Sequence, residues 1–368
     1  MRRRPPDRRT CSSPFPRDTA RSRTNLEAEI RQQPALLTAR RGPAEGAARE
    51  AARLIRQPGI THVVTAARGS SAHAACFAQH LFGQVLKMGT YPAAPSLYAS
   101  SEGPSLDGAA VLGISQSGQS PDVARVLHAA RAQHRPTIAI TNEPQSPLAQ
   151  AADVVVPLLA GAELSVAATK TYMGSLQALL QIAESAGAPQ LREGLDRLPE
   201  LAETVVSRAL DHATSLATVG GLSHPDPLTV VGRGTGHASA AEIALKIREV
   251  AGVRAEAYTA PDLLHGPVAA NVPGSSLWVI ASPSYPMAYW EQLMSRLTRS
   301  GVRVTAVVPD EADEISADLV LPVPVHQPGW LFDLVAVIYG QSVALRLGER
   351  EGLDVDKPRS LAKVTLTL

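Results

Sequence analysis

From residue 60 onward, short runs of β-branched and apolar residues alternate with stretches long enough for one helix, and few folds accept that alternation. Strands are expected over 60–67, 109–115, 136–141 and 154–157, with helices over 70–86 and 121–133 among them. Consecutive strands joined through helices lie parallel, and a parallel sheet needs helices on both faces. A long apolar helix over 170–186 closes this unit. The plan starts again with strands over 228–232, 277–281, 302–308 and 319–323 and helices over 238–250, 287–300 and 330–347. Ala67-Arg68-Gly69-Ser70 is echoed by Gly232-Arg233-Gly234-Thr235, each between a strand and an Ala-rich helix. The expected fold class is therefore α/β: two tandem domains, each a parallel sheet flanked by helices in a flavodoxin- or Rossmann-like three-layer sandwich.

A chain of 368 residues can fill two such domains with separate cores. Its 35 Lys and Arg nearly cancel its 34 Asp and Glu, so the overall charge points to neither nucleic acid nor an anionic membrane. Cys11 and Cys76 provide no disulfide framework and no metal-ligand spacing, which fits a reducing, cytoplasmic setting and leads us to expect no metal centre. No run of about 18 apolar residues exists, so no membrane span is expected. Residues 1–23 are rich in Arg, Pro and Ser and lack an apolar core segment. They read as a disordered extension, with a binding arm or a mis-chosen start codon as other readings. The expected organisation continues with N-terminal helices over 24–58, opened by a Thr24 cap, and a first domain over 59–190. Connecting helices over 191–217, a second domain over 218–347 and a tail over 348–368 complete it.

The chemistry centres on Gly113-Ile114-Ser115-Gln116-Ser117-Gly118-Gln119-Ser120-Pro121-Asp122, directly after the apolar run 109–112. Ser caps helices and Pro suits the first helical position, so the stretch reads as strand, loop and helix start. Free backbone N–H groups, the positive end of the helix dipole and the hydroxyls of Ser115, Ser117 and Ser120 would suit a phosphate. Taken alone, the stretch reads equally well as a capped helix behind a buried strand. The second unit has Ile280-Ala281-Ser282-Pro283-Ser284 at this place, losing the glycine and putting Pro where a donor would be wanted, so one phosphate loop per chain is expected.

Gly69-Ser70-Ser71 should lie beside that loop, because ligands of open parallel sheets bind outside the carboxyl ends of the strands; by itself it is an ordinary helix start. Gly232-Arg233-Gly234-Thr235-Gly236 is followed by His237 where a dinucleotide fingerprint needs its third glycine, which argues against a nucleotide. Glu242, Lys246 and Glu249 share one helix face, either as a solvated stripe or as a carboxylate positioned by an ammonium to move a proton. His265, in Leu264-His265-Gly266-Pro267, belongs to a turn; it is a surface histidine or a proton shuttle. The small-residue loop 162–170 suits wrapping a ligand, and the charged tail reads by default as a frayed end.

In order along the chain, Gly-Ser-Ser, Ser-Gln-Ser-Gly-Gln-Ser, Val-Ala-Ala-Thr-Lys, Ala-Leu-Lys-Ile-Arg-Glu, Ala-Glu-Ala-Tyr, His-Gly-Pro and Pro-Arg-Ser-Leu-Ala-Lys resemble the tandem SIS (sugar isomerase) domain family. Within it the match is to the isomerase half of glucosamine-6-phosphate synthase and to SIS-type glucosamine-6-phosphate deaminases. The resemblance implies that Ser115, Gln116, Ser117 and Ser120 hold a sugar 6-phosphate, with Gly69, Ser70, Ser71, Val166, Ala168 and Thr169 around the sugar. It implies Glu249 as the acid/base between C1 and C2, with Lys246 beside it. His265 would open the ring from a neighbouring subunit, making a homodimer, and Lys363 would bring the tail into the site. No cofactor is implied.

A glutamine-hydrolysing domain would need an amino-terminal Cys and a further domain, and only about sixty residues precede the first strand, with Cys11 away from the terminus. The expected reaction is therefore D-glucosamine 6-phosphate and water to D-fructose 6-phosphate and ammonia. The alternatives are a glutaminase-less synthase-like isomerase, a galactosamine-6-phosphate deaminase, a fructosamine-6-phosphate deglycase and a non-catalytic sugar-phosphate regulator.

Overall fold

The computed structural model describes residues 24–99, 103–219, 227–312 and 315–364. The extension expected over residues 1–23 lies outside them. Two helices, α1 (Asn25–Arg41) and α2 (Glu45–Ile55), come first. The first unit then runs β1 (His62–Ala67), α3 (Gly69–Val85), β2 (Gly89–Pro92), β3 (Ala109–Ile114), α4 (Pro121–Ala132), β4 (Thr137–Thr141), α5 (Pro147–Gln150), β5 (Val154–Pro157) and α6 (Lys170–Ser185). After α7 (Arg192–Val219) the second unit runs β6 (Leu228–Gly232), α8 (Thr235–Ala251), β7 (Ala255–Thr259), α9 (Ala260–Leu264) and β8 (Ser276–Ile280). It ends with α10 (Met287–Arg299), β9 (Arg303–Pro309), β10 (Leu319–Val323) and α11 (Gly329–Arg350).

Both sheets have five strands, all parallel, in the orders β2-β1-β3-β4-β5 and β7-β6-β8-β9-β10. Raising every label of the first order by five gives the second, so the echo noted in the sequence is a repeat of topology. In the first sheet Ala67 pairs with Ile114. The loops after β1 and β3 therefore leave the carboxyl edge side by side, at the place where such sheets bind ligands.

Three features depart from the sequence reading. Strands β2 and β7 were not expected; they are short edge strands whose exposed residues break the apolar pattern. The several helices expected over 191–217 are one helix, α7, with Pro199 inside it. Its buried stripe, including Leu195, Leu198, Ala202 and Val205, packs continuously on either side of the proline and carries the helix through. Helix α11 is long and apolar enough to cross a membrane by length and hydropathy, yet 94% of its most apolar window is buried inside the protein. It packs between α7 and α8 as the central core helix.

One apolar cluster runs through both units, from Phe77 and Leu176 in the first to Ile243 and Phe332 in the second. The units therefore share a dry seam. The tail is fastened as well: the Asp356 carboxylate accepts the backbone N–H groups of Asn25 at 3.0 Å and Leu26 at 2.8 Å, capping α1 together with the Thr24 hydroxyl. The end that reads as frayed in the sequence is tied to the first ordered helix.

Helices α8 and α11 approach closely because Gly340 faces Ile243; a Cβ at Gly340 would overlap the Ile243 side chain. Gly340→Ala is expected to lower stability by about 1–3 kcal/mol, as overpacked cores do. Urea unfolding with an unchanged midpoint would show that the two helices do not meet there.

Candidate active site

A cavity of about 350 Å³ opens at the carboxyl edge of the first sheet. Its first wall is the loop between β3 and α4, contributing Ser115, Gln116, Ser117 and Ser120. This loop is braced from within: the Gly118 N–H donates to the Ser115 hydroxyl at 3.1 Å, and the Asn142 N–H donates to the Gln116 carbonyl at 3.0 Å. Gly118 holds φ +61°, and a Cβ there would collide with Ser146, so this turn requires glycine. Ser120 precedes Pro121 as expected, but its hydroxyl makes no capping bond to α4. The sequence reading of Ser120 as a side-chain cap is corrected. Its hydroxyl lines the cavity instead, because Pro121 already supplies the helix start.

The second wall is the turn from β1 into α3, with Gly69, Ser70 and Ser71. Gly69 takes a positive φ of +52°, as Gly234 does (φ +60°) at the matching turn of the second unit.

The third wall comes from the second unit. Helix α8 presents Glu242, Lys246 and Glu249 toward α3, and the first two side chains are 0% and 1% exposed. This overturns the solvated-stripe reading: the face is buried because α3 packs on it. The Lys246 ammonium pairs with the carboxylates of Glu249 and, at 3.5 Å, Glu242. Burial lowers the Lys246 pKa, and the two carboxylates more than reverse this, so the group sits above its ordinary value and stays charged at neutral pH. Glu242 in turn accepts the Ser70 hydroxyl at 2.9 Å and faces His73 Nδ1 at 2.7 Å. Glu249, 24% exposed, is the member of the stripe that reaches the cavity alongside Lys246. A half-buried carboxylate held by a buried ammonium is equipped to take and return a proton.

The loop into α6 and the tail complete the site. Val166 and Ala168 line the cavity. Thr169 does not; it is buried, and its N–H donates to the Glu163 carboxylate at 3.0 Å. Glu163 also accepts from Thr171 and, at 2.7 Å, from the Lys363 ammonium. Burial pushes Glu163 up, and Lys363 with the Thr171 hydrogen bonds outweighs it, leaving the carboxyl below its ordinary value. Glu163 thus anchors the tail, whose residues 361–364 close one side of the cavity.

Of the residues singled out in the sequence, the fold gathers Gly69, Ser70, Ser71, Ser115, Gln116, Ser117, Ser120, Val166, Ala168, Lys246, Glu249 and Lys363 around one cavity. Thr169 stands behind the wall. His265 caps the short helix α9, is exposed, and is not among the residues lining the cavity within one chain. Sequence reasoning missed the work of Glu163 and the buried partnership of Glu242 with Ser70 and His73. Each acid has a decisive partner far away in the chain, Lys363 for Glu163 and Ser70 with His73 for Glu242, and no local pattern announces them.

Residues 55–185 match the SIS domain model. These residues belong to the SIS domain family. The glutamine–fructose-6-phosphate aminotransferase (isomerizing) of Methanothermobacter thermautotrophicus is 30% identical over 307 residues, which is 83% of this chain and 51% of that protein. The chain thus spans about half the length of the curated relatives it matches. Among solved structures, the C-terminal domain of the glucosamine-fructose-6-phosphate aminotransferase of Francisella tularensis superposes with a TM-score of 0.81 at 23% identity, covering 93% of this chain and all of that one. The glucosamine-6-phosphate deaminase of Thermotoga maritima superposes at 0.71 with 20% identity, over 94% of this chain and all of that one. These two likenesses carry the fold: two SIS units in tandem.

The second SIS unit fills its own corresponding place. Asp333 of α11 is fully buried at the start of α8, accepting the hydroxyl of Thr235, the counterpart of Ser70, at 2.6 Å. Burial pushes its carboxyl up to about 7, against the pull of that hydrogen bond. The folded value lies above the ordinary value of about 4 for a free Asp, so the stability that the protonated carboxyl contributes is complete below about pH 4 and is lost as pH rises through 7. Asp333→Asn should flatten the loss of thermal stability between pH 5 and pH 8 relative to wild type. Parallel pH profiles of the unfolding temperature would show that Asp333 is not the titrating group.

Proposed function

We propose that this protein deaminates D-glucosamine 6-phosphate with water, giving D-fructose 6-phosphate and ammonia. The observation carrying this reading is the meeting, in one cavity, of the serine loop of the first unit with the Glu249–Lys246 pair of the second. A hydroxyl-rich turn at a helix start suits a phosphate dianion. A carboxylate held by an ammonium suits proton transfer between adjacent sugar carbons. The cavity volume of about 350 Å³ falls in the range of small-molecule sites. Support also comes from the names of the relatives, which act on hexosamine and fructose 6-phosphates.

In the proposed sequence the pyranose opens to the aldehyde, with His265 of a second copy of the chain shuttling the proton between O5 and O1. Glu249 removes the proton from C2, leaving a C1–C2 enolamine with negative charge on O1, and returns it to C1; the nitrogen gives up one proton to O1 as the double bond becomes a C2 imine. Lys246 keeps Glu249 oriented and offsets the negative charge that builds on O1. Water adds to C2, the C–N bond breaks and ammonia leaves, giving the ketone. The aldehyde and the imine each acidify the C–H being moved, so the path needs no metal or organic cofactor. Lys363, held by Glu163, closes the site beside the sugar. Amination of fructose 6-phosphate by free ammonia is the same path reversed. The aminotransferase names of the curated relatives favour that direction, while water, as the more concentrated nucleophile, favours deamination.

Ammonia release from glucosamine 6-phosphate is the direct assay. Glu249→Gln should lower turnover by about 10²- to 10⁴-fold, the usual worth of a general acid/base, while binding of fructose 6-phosphate persists. Wild-type turnover in the Gln variant would end the reading. Binding without turnover in the wild type would point to a sugar-phosphate regulator.

A further inference from the structure

The serine loop offers hydroxyls and backbone N–H groups to a phosphate but no full positive charge, and an acid stands immediately behind it. Asp122, the second residue of α4, is buried, and its carboxylate accepts its neighbour Val123's N–H at 2.9 Å. A carboxylate in the first turn satisfies the helix dipole that a phosphate would use, and it repels a dianion. Something must offset it.

Arg68, at the carboxyl end of β1, does so. Its Nε donates to Asp122 Oδ2 at 2.8 Å, and the side chain remains 51% exposed, where it lines the same cavity as Ser117 and Ser120. Among the described residues, Nε is the only nitrogen of this guanidinium engaged in a hydrogen bond. The other two cationic side chains lining the cavity are committed elsewhere, Lys246 to Glu249 and Lys363 to Glu163. The second unit supplies an internal contrast. There the equivalent Arg233 lies over the rings of Tyr285 and Tyr289, at 4.5 and 4.9 Å, in the unit whose loop carries Pro283. One arginine is held by a carboxylate at the edge of an open cavity; its counterpart is spent on two aromatic faces.

We propose that Arg68 is a substrate-binding residue: held through Nε by Asp122, it turns to the 6-phosphate the terminal nitrogens that, among the described residues, make no hydrogen bond. This assignment rests on the phosphate-loop reading above and adds the charge that selects a phosphorylated sugar over the free one. Guanidinium matches phosphate geometry with two parallel N–H bonds, and a bond to a charged group is worth about 1.5–3 kcal/mol, or roughly 10- to 100-fold in affinity.

The test is calorimetric titration of the full chain with inorganic phosphate and, separately, with fructose 6-phosphate. Arg68→Gln is expected to weaken both by about 10- to 100-fold, and the unfolding temperature of each variant, measured alongside, separates this loss from the stability lost when the buried Asp122 carboxylate gives up its partner. The double variant Arg68→Gln with Asp122→Asn separates contact from neutralisation. Affinity that stays low supports direct contact, whereas recovery to the wild-type value overturns it, because Arg68 would then act only by cancelling Asp122. If the wild type binds both ligands and Arg68→Gln binds them equally well, Arg68 has no part and the loop reading stands. If the wild type binds neither, the loop reading falls and this assignment with it.

Discussion

The structure depends on one buried joint, where Glu242 on α8 meets Ser70 and His73 on α3. A carboxylate with no exposed surface is costly unless its charge is offset and its lone pairs are used. Lys246 supplies the charge, and the first unit supplies the hydrogen bonds. Neither unit satisfies this acid alone, so the two SIS units can close only in the register that brings Ser70 to Glu242. That same register places Glu249 at the mouth of the serine loop's cavity. Stability and site assembly therefore come from one contact.

Duplication supplied two similar edges, and the chain treats them differently. At the first, a glycine turn and three serines leave an open cavity. At the second, Asp333 from the core helix takes the place beside Thr235, and Arg233 packs on tyrosines. The repeated sheet order makes the comparison residue by residue, since both turns begin with a positive-φ glycine after the first strand of the unit. What differs is whether a neighbouring side chain has moved in. The second unit, relieved of a cavity of its own, contributes its helix α8 to the cavity of the first.

The tail shows a similar economy of contacts. Asp356 caps α1, the Asp356 carbonyl accepts the Val166 N–H at 2.9 Å, and Lys363 reaches Glu163. Three contacts along one irregular segment join the amino-terminal helix, the loop into α6 and the cavity. Nearby, burial and the neighbouring Glu163 push Glu29 up to about 7, while its carboxyl accepts the backbone of Leu164 and the hydroxyl of Ser165. The loop that carries Val166 and Ala168 is thus held from below by acids and from above by the tail.

The sequence by itself determined the alternating elements, the two-unit plan, the serine loop and the face shared by Glu242, Lys246 and Glu249, because these follow from periodicity, turn chemistry and spacing within a few residues. It also carried the family, through short motifs in a constant order. Only the tertiary structure decided that the Glu242 face is buried rather than solvated, since burial depends on α3, some 170 residues earlier in the chain. Only the structure decided that the Ser120 hydroxyl makes no capping bond, that Thr169 stands behind the cavity wall, and that the tail is anchored. The short edge strands β2 and β7 were likewise invisible, because Gly89-Thr90-Tyr91-Pro92 and Ala255-Glu256-Ala257-Tyr258-Thr259 hold no unbroken aliphatic run of the kind that marks β5 and β10. The physical reason is the same in each case: an acid, a hydroxyl or an edge takes its meaning from what packs against it, and that partner is fixed by the closing of the two sheets rather than by neighbours in sequence.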